Sequence, residues 1–334
     1  MSAAMTPANA VRTLPADMLA AWARRNAWTL GLIGFLVLLL IFTRLIQPRY
    51  GVTGIQGLAI SVLPLALAAV AQAVVVIGGG IDLSIGSMMA LISVVSATLM
   101  KGQSEEFGVA VVLGVLLLGL LLGAINGGLV VVTRVPDIVV TLAMSFVWAG
   151  CALLVLARPG GGSATWLKDI VSGSIGNEWV PKAAIMLVIV VTLIWFPVRR
   201  SRLGLSIYAI GSNRLAAFRS GVSVGRTKIF AYMLTGLFAA LAGLTLTAST
   251  GIGTPVPGPY TLLSVAAVVL GGVSLAGGRG GVFGPIVAVV ILQLIRTDMT
   301  FLNINSNLAV VAQGVILIGV VMFGSFIQLR RDRG

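Results

Sequence analysis

The chain has 334 residues, of which 58% are hydrophobic and only 9% are charged, and its mean hydropathy is +1.09. This composition excludes an ordinary water-soluble domain and predicts an all-α polytopic membrane protein, because backbone polar groups in lipid must be paired within helices or a closed barrel. The net charge of +13 does not indicate nucleic-acid binding, since the basic residues flank apolar spans. With no histidine and one cysteine, Cys151, neither a metal centre nor an internal disulfide is expected.

About ten transmembrane helices are predicted, because roughly 20 apolar residues are needed to cross a hydrocarbon core of about 30 Å. The predicted spans are 28–46, 55–77, 83–100, 109–132, 138–156, 183–198, 229–249, 262–276, 282–295 and 308–328. They form one transmembrane domain, residues 28–329, between short tails at 1–27 and 330–334. The first tail has no apolar core and is expected to be cytoplasmic rather than a cleaved signal.

The distribution of Lys and Arg predicts the orientation of these spans. If the N-terminus is cytoplasmic and the helices alternate in direction, fifteen of the 22 Lys and Arg residues fall on the cytoplasmic side. The acidic residues show no comparable bias. This is the positive-inside pattern, and it predicts that both termini are cytoplasmic.

Two glycine-rich segments interrupt the apolar spans. Residues 78–87 read GGGIDLSIGS, and residues 271–281 read GGVSLAGGRGG. Glycines let the backbone turn sharply, and Asp82 can either cap the following helix or contact a solute directly. The shared pattern GG(I/V)(D/S)L is compatible with an internal repeat, but chance is the preferred explanation for so short a match.

Several neutral polar residues lie within the apolar spans. Such groups usually tie helices together by hydrogen bonds, and alternatively they line a path for a polyhydroxylated solute. The scarcity of charge within the spans argues against an ion-coupled pump and against a cation channel lined by acidic rings. The residues predicted to line a translocation path are Gln72, Asp82, Ser84, Asn126, Thr141 and Gln313.

The loop 199–228 is the most basic part of the chain, with seven Lys and Arg residues and no acidic one. A turn signal at 211–213 and the small residues Ala216, Ala217 and Gly221 are typical of a docking surface with a short helix. The alternative is that its charges only set the topology. The outer loop 157–181 contains Gly, Pro and Trp and is expected to be a solvated connector rather than a partner-binding loop. The chain contains no phosphate-binding G-x-x-x-x-G-K-[ST] motif, so any nucleotide is hydrolysed by another subunit.

Together these segments resemble the permease subunits of bacterial ABC importers for simple sugars, a group that includes ribose, xylose, arabinose, rhamnose and autoinducer-2 permeases. The resemblance runs from about residue 58 to 324. It is carried by GGIDLSIGS at 79–87, Asn126-Gly127, residues 136–142, the GSN and AAxxxG patterns within 204–221, and AAVVLGGVSLAGGRG at 266–280. Departures are Thr261 after Tyr260, the stretch 295–300, and the acidic residue at Asp137.

The resemblance implies a non-enzymatic permease of the bacterial inner membrane that imports a monosaccharide by alternating access. A separate ABC ATPase would use ATP and Mg, no cofactor would bind this chain, and an extracytoplasmic sugar-binding protein would deliver solute. A second copy or a related permease would complete the pore within the lipid bilayer, and no nucleic acid is implied. The residues that would couple to the ATPase are Asn213, Arg214, Ala216, Ala217, Arg219 and Gly221.

Other functions stay open at this point. The solute could instead be an autoinducer-2-type signal or a nucleoside. A stand-alone secondary carrier is disfavoured by the missing acidic residues in the spans and by the basic loop. A membrane scaffold is disfavoured because it has little use for glycine breaks at membrane depth.

Overall fold

The computed structural model describes residues 27–256 and 258–305, together with positions 308, 311, 314, 315, 319 and 322. Residues 1–26 of the predicted tail 1–27, the predicted tail 330–334, Gln313 and most of the predicted span 308–328 lie outside the described residues. The described part is helical apart from one short hairpin.

The helices before the hairpin are α1 (Ala27–Ile46), α2 (Val52–Ile77), α3 (Ile85–Met100), α4 (Glu105–Thr133), α5 (Asp137–Val155) and α6 (Thr165–Val171). The hairpin consists of β1 (Ser174–Ile175) and β2 (Asn177–Pro181), which pair antiparallel. The helices after it are α7 (Lys182–Arg200), α8 (Arg202–Ser212), α9 (Arg214–Arg219), α10 (Val224–Thr250), α11 (Tyr260–Leu270) and α12 (Phe283–Phe301).

Among the described residues, seven helices are long and apolar enough to cross a membrane, namely α1, α2, α4, α5, α7, α10 and α12. Helices α3 and α11 are apolar but shorter. Each of the first nine predicted spans therefore coincides with a helix, which confirms a polytopic helical membrane protein. The full count of ten, which needs 308–328, stays a prediction.

Two predicted boundaries are wrong. The eighth span, 262–276, is too long, because α11 ends at Leu270 and Gly272 adopts a left-handed φ of +79°. The ninth span, 282–295, is too short, because α12 continues to Phe301. The polar residues after 295 suggested a loop, but they continue α12, and two of them, Arg296 and Asp298, face different surroundings, as described below.

The loop 157–181 is not a plain connector. It contains α6 and the hairpin, and Gly160 pairs with Gly253 of the next loop at this end through N–H to O bonds of 3.1 and 2.7 Å. The Glu105 carboxylate accepts from the Thr165 N–H at 2.9 Å. These bonds join the loop 157–181 to the loop that contains Gly253 and to the start of α4 at this end of the bundle.

Helix α10 lies at the centre of the bundle, against α2, α3 and α4. Its contact with α4 depends on Gly119, Gly123 and Gly127, which recur at every fourth position and therefore share one face. A Cβ atom on Gly123 would collide with the Tyr232 carbonyl oxygen and lie 2.9 Å from Met233 Cα. The spacing is the small-residue pattern that lets membrane helices approach closely.

The two glycine-rich segments share one backbone conformation. Gly78 and Gly271 each follow the last residue of a helix with φ of −74° and −69°. The next residues, Gly79 and Gly272, both have φ of +79°. We call residues 78–80 the first glycine turn and residues 271–273 the second.

The hydrogen bonds of the two turns correspond as well. In the first, the N–H of Gly80 donates to the Val75 carbonyl at 3.0 Å, and in the second Val273 donates to Val268 at 3.1 Å. Each bond spans five residues, as in a Schellman ending. The two segments therefore share one type of helix ending, shifted by one residue from the alignment by letters, and the explanation of the sequence match by chance stays a prediction.

Reporter fusions test the orientation of the bundle. Ser172, at the end of α6, and Ser212, at the end of α8, are both exposed and lie at opposite ends of α7. We expect a fusion at Ser172 to have periplasmic activity and one at Ser212 to have cytoplasmic activity, because 199–228 holds the largest basic cluster. The reverse pattern would contradict the predicted orientation.

Candidate translocation and coupling sites

A buried polar network holds the connection between α2 and α3. Asp82 Oδ1 accepts from the Ser84 N–H at 2.8 Å and from the Ser84 hydroxyl at 2.6 Å. The Asn126 amide donates to Ser84 Oγ at 2.7 Å, and Trp148 Nε1 donates to Asn126 Oδ1 at 3.2 Å. The side chains come from the connection itself, α4 and α5, so the network fixes three parts of the fold together.

Two further predicted path residues join the same network. Thr141 Oγ1 accepts from the Leu83 N–H at 3.0 Å. In the amide orientation that satisfies both of its ends, Gln72 donates to the Asp82 carbonyl at 2.8 Å and accepts from the Asp82 N–H at 3.3 Å. The predicted path residues are thus brought together, except Gln313, but they are fully buried and bind one another. Their role in a translocation path stays a prediction.

Asp82 differs from its expected role as a helix cap. Ser84 is the N-cap residue of α3, and the Asp82 carboxylate accepts within the turn before the helix begins. Burial raises the pKa of Asp82 to about 6, and hydrogen bonds from Ser84 and Asn126 partly oppose that rise. Within the described residues Oδ2 has no hydrogen-bond partner. Burial therefore favours the neutral form of this carboxyl group.

An ion pair lies beside the first glycine turn. Lys228 Nζ lies 2.7 Å from Asp137 Oδ1, and Tyr232 OH donates to Asp137 Oδ2 at 3.1 Å. The Lys228 and Asp137 side chains are only 12% and 13% exposed, and theirs is the one salt bridge among the described residues. A Cβ atom on Gly80 would collide with the Asp137 carboxylate, so this glycine lets the pair lie against the turn.

The residues predicted to couple to an ATPase form a compact exposed surface. Helix α9 is short, and Asn213 caps it by accepting from the Ala216 N–H at 2.9 Å. Ala217 is buried beneath it, and Gly221 follows with φ of +84°. Arg214 and Arg219 are exposed, one at each end of the helix. The expected short helix is confirmed at 214–219.

Two exposed apolar side chains lie between these arginines, which sequence reasoning missed. Leu215 and Phe218 are 59% and 66% exposed. They are three residues apart and so lie on one side of α9. A patch of two large apolar side chains flanked by guanidinium groups has the composition of a protein-binding surface.

Helix α8 connects this surface to the two glycine-rich segments, 78–87 and 271–281. The sequence predicted a turn at 211–213, but Gly211 and Ser212 complete α8, and only Asn213 leaves the helix. A Cβ atom on Gly211 would collide with the Ile77 carbonyl oxygen and lie 2.6 Å from Gly278 N. Gly278 N–H in turn donates to the Ile77 carbonyl at 2.8 Å. The C-terminal end of α8 thus packs between the two glycine-rich segments.

The opposite end of the bundle contains an open cavity of about 430 Å³. It lies between α2, α10, α11 and α12, and its size is in the usual range for small-molecule sites. The residues that line it are Gly57, Ile60, Ser61, Pro64, Leu246, Ser249, Thr250, Tyr260, Gln293, Arg296, Thr297 and Thr300. Sequence reasoning did not select these residues, because four separate helices contribute them and none forms a motif.

Comparison with known proteins identifies a family. Residues 54–321 match the family described as the permease component of the branched-chain amino acid transport system. This region extends from α2 through α12 and so includes the glycine turns, the coupling surface and the cavity. No solved structure matches the chain.

Curated relatives are similar over most of their length. The ribose import permease of Escherichia coli (strain K12) is 32% identical, over 89% of this chain and 94% of the relative. The D-allose transport system permease of the same strain is 32% identical, over 75% and 76%. The autoinducer 2 import system permease LsrD of Escherichia coli O9:H4 (strain HS) is 28% identical, over 92% and 95%.

Proposed function

The chain belongs to the family described as the permease component of the branched-chain amino acid transport system, and we propose that it is the membrane subunit of a bacterial importer for a monosaccharide. The relatives named for ribose, allose and autoinducer 2 support a small polyhydroxylated solute. An autoinducer-2-type signal is the alternative solute, and a nucleoside fits less well. The protein is a multi-pass protein of the inner membrane, and both of its termini would be cytoplasmic.

The observation that carries the proposal is the connection from the exposed helix α9, through α8, to the two glycine-rich segments. A separate ATPase would dock on α9, with acidic groups meeting Arg214 and Arg219 and apolar groups covering Leu215 and Phe218. That subunit would use ATP and Mg, whereas this chain would bind no cofactor and catalyse no covalent step. An extracytoplasmic binding protein and a second permease would complete the importer.

A movement of α9 would be transmitted to the solute path through direct backbone contacts of α8. Gly211 packs against Ile77 and Gly278 with no side chain between the backbones, so little displacement is lost to side-chain rearrangement. A shift of α8 would therefore displace the end of α2 and the second glycine-rich segment. Such a change between two packed arrangements is what alternating access requires.

Co-purification tests the proposed docking surface. We expect a mild detergent extract of the tagged protein to retain an ABC ATPase, and the double variant Arg214→Glu/Arg219→Glu to lose at least about tenfold of it, because both contacts become repulsive. Arg226→Glu is the matched control, since Arg226 is exposed in the same loop but outside α9. ATP-independent transport by the permease alone would instead indicate a secondary carrier.

A further inference from the structure

The cavity between α2, α10, α11 and α12 contains one cationic group, Arg296. No carboxylate among the described residues forms a salt bridge with it. The nearest acid in sequence, Asp298, is two residues further along α12 and therefore points to another side of the helix. Asp298 is 4% exposed and lies near Tyr50, where burial and this carboxylate raise the pKa of the Tyr50 hydroxyl. The Arg296 guanidinium is thus available to a ligand.

The neutral polar groups of the cavity are mainly acceptors. Ser61, Ser249 and Thr250 each donate their hydroxyl proton to a backbone carbonyl of their own helix, at 2.8 to 3.0 Å. Thr297 and Thr300 do the same, at 2.9 and 3.0 Å. Since each of these hydroxyl groups already donates its proton to a carbonyl, its oxygen can accept from a ligand without breaking that bond, and the phenol of Tyr260 adds one more hydroxyl to the wall.

The amide in the cavity adds a further acceptor. Gln293 Nε2 donates one of its two N–H groups to the Ser61 carbonyl at 2.9 Å, so its Oε1 and its second N–H are left for a ligand. The wall therefore offers several acceptors to hydroxyl donors and one cationic fork to an acid. A sugar that has only hydroxyl groups would bind the acceptors and would leave the Arg296 guanidinium without an anionic partner.

We propose that this cavity is a solute subsite for a monosaccharide-sized sugar acid, in which the acceptors bind the hydroxyl groups and Arg296 binds the carboxylate. The guanidinium presents a planar fork that matches a carboxylate bidentately. The inference rests on the proposed import function and narrows its substrate class. It also gives a role to the stretch 295–300, where the sequence departs from the sugar permeases that it resembles.

Binding of two probes with one carbon skeleton tests the inference. D-galacturonate and D-galactose differ in the oxidation of C6, and each is to be measured against the purified full-length protein in lipid nanodiscs. We expect galacturonate to bind about tenfold more tightly, since a hydrogen-bonded charge pair contributes more than a neutral contact. Arg296→Gln should remove this preference, so that galacturonate and galactose bind with affinities within about twofold of each other.

Two further variants keep the test decisive. Lys101→Gln removes an exposed cation from the same end of the bundle, outside the cavity, and should keep the preference. Arg296→Glu should bind galactosamine better than galacturonate, a gain that a misfolded protein would not show. Equal binding of the two probes, no binding of either, or a preference that survives Arg296→Gln would overturn the inference.

The proposed function can stand when this inference fails. ATP-dependent uptake of galactose or ribose without preference for galacturonate would retain the importer and remove the acid subsite. Absence of a co-purifying ATPase, together with absence of ATP-dependent uptake of any sugar, would remove the importer itself. Binding to nanodiscs measures the cavity, and uptake measures the assembled system, so the two results are independent.

Discussion

Replacing Lys228 with methionine is expected to lower the free energy of unfolding by about 3 kcal/mol, the lower end of the range for removing one partner of a buried ion pair. The change leaves the Asp137 carboxylate, 13% exposed, with the Tyr232 hydroxyl as its remaining hydrogen-bond donor. Methionine keeps the apolar stem, so lost packing contributes little. The measurement is the thermal unfolding midpoint of the purified protein in detergent.

The double variant separates the charge from the shape of the site. Adding Asp137→Asn to Lys228→Met removes the uncompensated carboxylate, and at least half of the lost stability should return. Lys101→Met, at an exposed position, is the control and should change the midpoint little. Equal losses in the single and double variants would mean that the lost stability does not come from the uncompensated Asp137 carboxylate.

A valine at Gly123 is expected to destabilise the protein by about 3 kcal/mol or more, or to prevent folding, because its Cβ would overlap the backbone of α10. The backbone at Tyr232 and Met233 cannot move aside as a flexible side chain can. The helices would have to separate along the small-residue face that holds α4 against α10. The measurement is the yield of monodisperse protein and its unfolding midpoint.

Gly114→Val is the matched control on the same helix. A Cβ atom on Gly114 meets nothing within 4 Å, so this variant changes the helix propensity of α4 without touching α10. It should be recovered in normal yield. Similar losses in both variants would show that the effect comes from the helix itself rather than from its contact with α10.

The spanning helices were predictable because the signal is local. A run of apolar residues long enough to cross a bilayer defines α1, α2, α4, α5, α7 and α10 without reference to tertiary structure. The ends of α11 and α12 were not predictable in this way. Gly271 looks like one more apolar position, and Arg296 looks like the start of a loop. Only the packing shows that the first ends a helix and the second faces a cavity within one.

The candidate sites that were predictable from sequence are those whose residues lie close together in the chain. The α9 surface was found from sequence because Asn213, the paired alanines and Gly221 lie within nine residues. The α4 face was missed although Gly119, Gly123 and Gly127 recur at a fixed spacing, a pattern that could have been read as a helix contact. The Lys228 and Asp137 pair joins residues 91 positions apart, and the cavity joins four helices. Neither the ion pair nor the cavity produces a local sequence pattern.

The bond from the Gly278 N–H to the Ile77 carbonyl has a consequence for leakage through the membrane. It joins the two glycine-rich segments directly, beside the end of α8. A conformation with only one segment displaced would break this bond and leave an amide unpaired, at a cost of about 1–3 kcal/mol if that amide stays buried. The two glycine-rich segments are therefore expected to move together. A conformation in which only one of them has moved, and through which small ions could leak, would then have a low population.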